Sequence, residues 1–213
     1  MKCIGLLGGT FNPIHFGHLR MAQELAEALH LDEVRFVPSA NPPHKTAPVV
    51  SAEHRAHMVQ LAIEHNPLFK LDTRELMRSG ASYTIDTLLS LRNELGHDVA
   101  LCLMMGTDAF TKLNTWHRWQ ELLDYCHIVL VQRPNSTPKQ PLDKVLESLL
   151  HEHYTEDIEE LSTLAAGYIH MQTITALDVS STAIRAAFCK KQPPHYLMPE
   201  TVINYINSHQ LYT

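Results

Sequence analysis

The segment Gly8-Gly9-Thr10-Phe11-Asn12-Pro13-Ile14-His15-Phe16-Gly17-His18 constrains this 213-residue chain more than any other. The apolar run Cys3 to Leu7 precedes it, and a pattern with Leu19, Ala22, Leu25, Ala26 and Leu29 on one helical face follows. A strand that enters a glycine turn and leaves as a helix brings backbone N–H groups and the positive end of a helix dipole together where no side chain blocks a ligand. Such a corner suits phosphate. His15 and His18, three residues apart at the helix start, can turn both rings toward one bound group and donate to phosphoryl oxygens. The segment lacks both the Lys-Ser/Thr close of a Walker loop and the Gly-x-Gly-x-x-Gly fingerprint, which disfavours a P-loop or a generic dinucleotide site. The bland alternative is a pair of surface histidines at a helix start.

Val34 to Pro38 reads as a second strand, and strand, helix, strand in about thirty residues is the βαβ unit of a parallel sheet. The loop Ser39-Ala40-Asn41-Pro42-Pro43-His44-Lys45 follows, because two prolines remove backbone donors. Loops at the carboxyl ends of strands border the ligand crevice of an open α/β sheet. His44 and Lys45 are therefore a candidate anion clamp, or else a solvated turn. Ser51 is placed as the cap of a helix carrying Met58, Leu61, Ala62 and His65, and Phe69 to Thr73 as a short strand. Thr84 is expected to cap the next helix, with Ile85, Leu88, Leu89, Leu91 and Leu95 on its apolar face and N–H groups at its start for another anion.

The unbroken apolar run Ala100 to Met105 predicts a central strand buried on both faces. Gly106-Thr107-Asp108 ends it, with Asp108 suited either to ribose hydroxyls or to capping the next helix. Of Trp116 and Trp119, one is expected in the core and the other against a ring. Cys126 to Val131 is a further strand, closed by Gln132-Arg133-Pro134. Residues 135–167 carry a helical face (Leu142, Val145, Leu146, Leu149, Leu150) and an acidic stretch, and His151 and His153 are read as solvated. Tyr168 to Met171 is the last strand. Val179 to Arg185 starts a helix capped by Ser180 or Ser181, with Arg185 one turn inside and able to fold back to the same phosphate; Pro199 to Asn207 is a terminal helix.

His15-Phe16-Gly17-His18 and Ser180-Ser181-Thr182-Ala183-Ile184-Arg185, in this order, resemble the two signatures of the nucleotidyltransferase superfamily. Within it the chain is similar to the bacterial nicotinate mononucleotide adenylyltransferases, through Asn41-Pro42-Pro43-His44-Lys45, Ser82-Tyr83-Thr84, Gly106-Thr107-Asp108 and Thr115-Trp116. The resemblance spans the chain. It implies a Rossmann-like, doubly wound parallel α/β sheet with helices on both faces, one domain over residues 1–213, and a small C-terminal helical extension from about residue 180. It also implies adenylyl transfer from ATP to nicotinate mononucleotide, giving deamido-NAD and pyrophosphate in NAD biosynthesis, with Mg²⁺ riding on the triphosphate. The nearest alternative is the same chemistry on nicotinamide mononucleotide or another phosphorylated acceptor. On this resemblance His15, His18 and Arg185 are the catalytic residues. Gly8, Gly9, Thr10, Phe11, Gly106, Asp108, Arg133, Ser180 and Ser181 join them around ATP. Asn41, His44, Lys45, Ser82, Tyr83, Thr84, Trp116 and His117 surround the mononucleotide, and no side chain is assigned to a metal.

Composition bears on the rival readings. A formal net charge of −6 with 19% charged residues is poor for nonspecific nucleic-acid binding, so a polyanionic substrate needs a local positive site. A metal hydrolase built on His15, His18 and His44 lacks partners at zinc spacing. A nucleotide-binding module without catalysis would not need both phosphate motifs. Cys3, Cys102, Cys126 and Cys189 have no paired spacing and are read as reduced. Neither a signal region nor an apolar stretch of the ~20 residues a membrane span needs is visible, so a cytoplasmic location is expected.

Overall fold

The computed structural model describes residues 1–42, 48–132, 141–175 and 177–213. Its seven strands are β1 (Lys2–Gly9), β2 (Glu33–Pro38), β3 (Phe69–Leu71), β4 (Val99–Gly106), β5 (His127–Gln132), β6 (Tyr154–Thr155) and β7 (Ile169–Thr173). They form one sheet in the order β3-β2-β1-β4-β5-β7-β6, and every pairing is parallel. The chain winds outward from β1 to β3 and then returns to lay β4 on the other side of β1. That reversal leaves a crevice at the carboxyl ends of β1 and β4.

The helices are α1 (Phe16–Ala28), α2 (Ala52–Ile63), α3 (Thr84–Leu95), α4 (Thr107–Phe110), α5 (Leu122–Tyr125), α6 (Lys144–His153), α7 (Glu160–Thr163), α8 (Ser181–Cys189) and α9 (Glu200–Ser208). Alternation along the strands decides which layer each helix joins. Cys3 and Leu7 of β1 with Ala100, Cys102 and Met104 of β4 face α1, α2, α8 and α9; Ile4, Leu6, Leu101, Leu103 and Met105 face α3, α5 and α6. Truncating one such buried residue, Leu101 for example, costs roughly 2–5 kcal/mol. A Cβ on Gly5 would stand 2.7 Å from Cδ1 of the buried Leu31, which would have to shift.

Several local expectations need correction. His65 is exposed and lies beyond α2, whose buried face is Arg55, Ala56, Met58, Val59 and Ile63. β3 stops at Leu71 because Asp72 turns to accept hydrogen bonds from Arg74. His153 is half-buried rather than solvated, its Nδ1 lying 2.8 Å from the Gly167 carbonyl oxygen. Both tryptophans are half-buried against the second core layer. The edge strand β6 is too short to leave an alternation pattern.

At the edge of the sheet opposite the crevice, Arg92 of α3 is buried and donates to the carbonyls of Tyr125 (2.9 and 2.7 Å), Val99 (2.7 Å), Gly96 (3.0 Å) and Ala165 (2.7 Å). It thereby joins the entries to β4, β5 and β7. His127, fully buried, is held as one neutral tautomer: Nδ1 accepts from Tyr168 N–H at 3.0 Å, which leaves Nε2–H to donate to the Leu164 carbonyl at 2.9 Å. Burial pushes its pKa down, against the hydrogen bond to Leu164.

Candidate active site

A cavity of about 520 Å³ occupies the crevice at the ends of β1 and β4. One wall is the glycine turn: Gly8, Gly9, Thr10 and His18 line it. The opposite wall is the start of α3 and the segment after β4, where Ser82, Tyr83, Thr84, Gly106, Trp116 and His117 line it. A Cβ built on Gly8 or Gly106 would meet nothing within 4 Å, so both strand ends present bare backbone to the cavity. Gly9 and Gly17 are glycines for another reason. Their Cβ atoms would stand 3.0 Å from the rings of Phe11 and His15 respectively.

The two histidines are not side by side. His15, 6% exposed, caps α1 and stacks on His18 with ring centroids 3.7 Å apart, and only His18 lines the cavity. The His15 N–H donates to His18 Nδ1 at 3.3 Å, which fixes the neutral ring with its proton on Nε2. Phe11 meets His18 edge-on with centroids 5.2 Å apart. Phe11 is itself core, 2% exposed with φ 46°, and it orients the histidine.

The N-cap of α3 is Tyr83, whose side chain caps nothing, and Thr84 is the first helical residue rather than the cap. The first-turn N–H groups of a helix without a side-chain cap are available to an anion. Tyr83 and His117 pack with ring centroids 4.4 Å apart, beside Trp116. Ser82 Oγ accepts from the N–H groups of Ala40 and Asn41 at 3.0 and 3.1 Å, and Asn41 Nδ2 donates to the Gly80 carbonyl. These contacts clasp the loop after β2 to the loop before α3.

Asp108 is exposed on α4 and does not line the cavity. Ser180 is the cap of α8, accepting from Ala183 N–H at 3.2 Å. Ser181 Oγ donates to the Pro13 carbonyl at 2.9 Å, and Arg185 Nη1 to the Asn12 carbonyl at 2.7 Å. The second motif thus grips the loop of the first. His44, Lys45 and Arg133 lie outside the described residues.

A family model described as cytidylyltransferase-like matches residues 6–187. The chain belongs to the cytidylyltransferase-like family. Within it, the chain is 47% identical over 211 residues to a protein of Hydrogenovibrio crunogenus, covering 99% of this chain and 98% of that one. It is 48% identical over 209 residues to one of Aeromonas salmonicida, covering 98% and 96%. Both are named probable nicotinate-nucleotide adenylyltransferase. A solved structure of Plasmodium falciparum nicotinic acid mononucleotide adenylyltransferase, complexed with NaAD, shares the fold at a TM-score of 0.73 and 17% identity, covering 100% of this chain and 98% of that one.

On this cytidylyltransferase-like framework the cavity has wall residues that sequence patterns did not single out, among them Met21, Glu75, Thr87 and Lys112. Glu75 is 8% exposed; its Oε1 accepts from Thr87 Oγ1 at 2.8 Å, and its Oε2 has no hydrogen-bond partner among the described residues. Burial pushes its carboxyl pKa up, and the hydrogen bonds of Thr87 and Ser82 and the charge of Arg78 only partly oppose this. The neighbouring Asp72 goes the other way. Its burial would raise it too, but hydrogen bonds from the Arg74 side chain and backbone, with the charges of Arg74 and Arg35, hold it below the usual range. No spacing rule marks Glu75, because its place in the cavity depends on α3 packing over it.

Proposed function

We propose that the protein transfers the adenylyl group of ATP to nicotinate mononucleotide, giving deamido-NAD and pyrophosphate in NAD biosynthesis. One continuous cavity carries this reading: the glycine turn and His18 border it on one side, and the open N-terminus of α3 with Trp116 and His117 borders it on the other. Two nucleotides can meet there end to end.

A phosphate oxygen of the mononucleotide forms a bond to the α-phosphorus of ATP as the bond from that phosphorus to the bridging oxygen breaks, and pyrophosphate leaves with the electron pair. The nucleophile is already an anion, so no covalent enzyme intermediate is required. The protein aligns the reactants and stabilises charge. His18 donates from Nε2–H to phosphoryl oxygens, and His15, stacked behind it, holds its tautomer and tilt. Gly8 and Gly106 let the nucleotides approach the backbone. The pyridine ring lies against Trp116, its carboxylate on the N–H groups at the start of α3. Arg185 and Ser181 turn from the loop carbonyls to the β and γ phosphates when ATP binds, and Lys45 and His44 meet the mononucleotide phosphate.

Mg²⁺ enters as the magnesium complex of ATP. Among the described residues no group of three or more His, Cys, Asp or Glu side chains could hold the ion, and the cavity donors suit an anion. We place the activity in the cytoplasm, where four free cysteines stay reduced; among the described residues no helix is long and apolar enough to cross a membrane. Purified protein given ATP, Mg²⁺ and nicotinate mononucleotide should release pyrophosphate and form deamido-NAD. No product above background from folded protein would refute the assignment.

A further inference from the structure

Behind the glycine turn stands a second set of donors. Arg55 of α2 is 1% exposed, and all three of its guanidinium nitrogens donate to carbonyls: Nη1 to Thr10 at 2.6 Å, Nη2 to Ala40 at 3.2 Å and Nε to Val50 at 3.3 Å. Among the described residues it forms no ion pair. A buried cation without a carboxylate is expensive to keep. Two residues further along, Tyr212 donates its hydroxyl to Asn12 Oδ1 at 2.6 Å, while Arg185 and Ser181 hold the carbonyls of Asn12 and Pro13.

The geometry of the peptide unit gives these contacts a direction. Across a trans peptide, the C=O of one residue and the N–H of the next point opposite ways. The Thr10 carbonyl held by Arg55 therefore sends the Phe11 N–H away from the buried guanidinium. Thr10 lines the cavity and Arg55 does not, so the loop separates the guanidinium from the substrate.

We propose that Arg55 and Tyr212 are positioning residues for the phosphate loop, fixing its acceptors on the buried side so that an incoming triphosphate meets N–H groups backed by a positive charge. The identity of that triphosphate rests on the adenylyltransferase reading. The test is chosen to separate the two, because it reads inorganic pyrophosphate binding as well as turnover.

Arg55→Lys, Tyr212→Phe and, as control, Arg92→Lys are compared for melting temperature, pyrophosphate affinity by calorimetry, and kcat. Arg92 is another buried guanidinium directed at carbonyls, but at the opposite edge of the sheet. Arg55→Lys should weaken pyrophosphate about tenfold and lower kcat on the order of 10²-fold, the scale for a small displacement of a reacting group. Tyr212→Phe, which keeps the ring and loses one hydrogen bond, should weaken pyrophosphate by about 2- to 10-fold. Arg92→Lys should lower the melting temperature while leaving both functional readouts near wild type. Wild-type pyrophosphate affinity and turnover in the Arg55 and Tyr212 variants would overturn the proposal, as would an equal loss in Arg92→Lys. If Arg55→Lys does not fold, Tyr212→Phe decides by the same readouts. A wild-type protein that binds pyrophosphate but makes no dinucleotide would refute the function reading, and the three affinities would still decide the positioning roles.

Discussion

Gly8→Ala separates stability from activity. Gly8 sits in β1 opposite Val37, outside the left-handed region, and a Cβ there meets nothing within 4 Å. A glycine replaced by alanine at a compatible backbone position stabilises by about 0.4–1 kcal/mol, because the unfolded chain loses freedom. At about 2–4 °C per kcal/mol for a chain of this size, the melting temperature should rise by about 1–4 °C. Activity should fall instead. The new methyl would project into the cavity, where the proposed nucleotide passes the strand end; a displacement of ~1 Å at the reacting centre costs about 10²-fold. Paired thermal melts and pyrophosphate-release kinetics read both effects. Gly5→Ala is the internal contrast: its Cβ would crowd Leu31 and Met104, so it should destabilise by about 1–3 kcal/mol while folded molecules keep their turnover. Wild-type kcat/KM for ATP in Gly8→Ala would show that no substrate passes over Gly8 and would refute the placement of the nucleotide.

His18→Ala should lower kcat on the order of 10²- to 10³-fold, the scale for losing one preorganised donor, with the fold retained by circular dichroism; normal turnover would remove His18 from the site. Glu75 holds its proton more tightly in the folded than in the unfolded chain, so its contribution is intact below an unfolded pKa of about 4.3 and is lost as pH rises through the folded value. Glu75→Gln should therefore melt higher than wild type at pH 7 and equally near pH 4, and a pH-independent difference would contradict the burial argument. His127 has its pKa lowered by burial, so stability should fall as pH drops below about 6.5, and His127→Gln should flatten that part of the melting profile; parallel wild-type and variant profiles would count against it. Nicotinate mononucleotide should be preferred over its amide by about 5- to 150-fold in kcat/KM, because the amide NH₂ would face N–H donors at the start of α3 and leave one unpaired. Equal efficiencies would move the protein to a dual or nicotinamide-directed enzyme.

Local pattern and contact with a partner elsewhere in the chain leave different traces in a sequence. The glycine turn between an apolar run and a helical stripe set β1, α1 and the corner between them, because strand alternation, helix period and glycine freedom are properties of neighbouring residues. The run Ala100 to Met105 declared a strand buried on both faces for the same reason. Ser51 and Ser180 declared their helices, since a cap bonds to N–H groups two or three residues away.

What the tertiary structure alone decided involves partners far apart. Nothing local says that His15 stacks behind His18, that Arg185 and Ser181 reach the carbonyls of Asn12 and Pro13, or that Glu75 lies under Thr87 in the cavity wall. Arg55 is the clearest case. By sequence it is one more charged residue in a helix with mixed polarity, and only the return of that helix beneath the ends of β1 and β2 buries it against Thr10 and Ala40. A short motif can specify the backbone of the glycine turn, because its atoms are neighbours in the chain. The donors that hold this loop come from α2, α8 and Tyr212, and they meet only once the sheet has closed the distance.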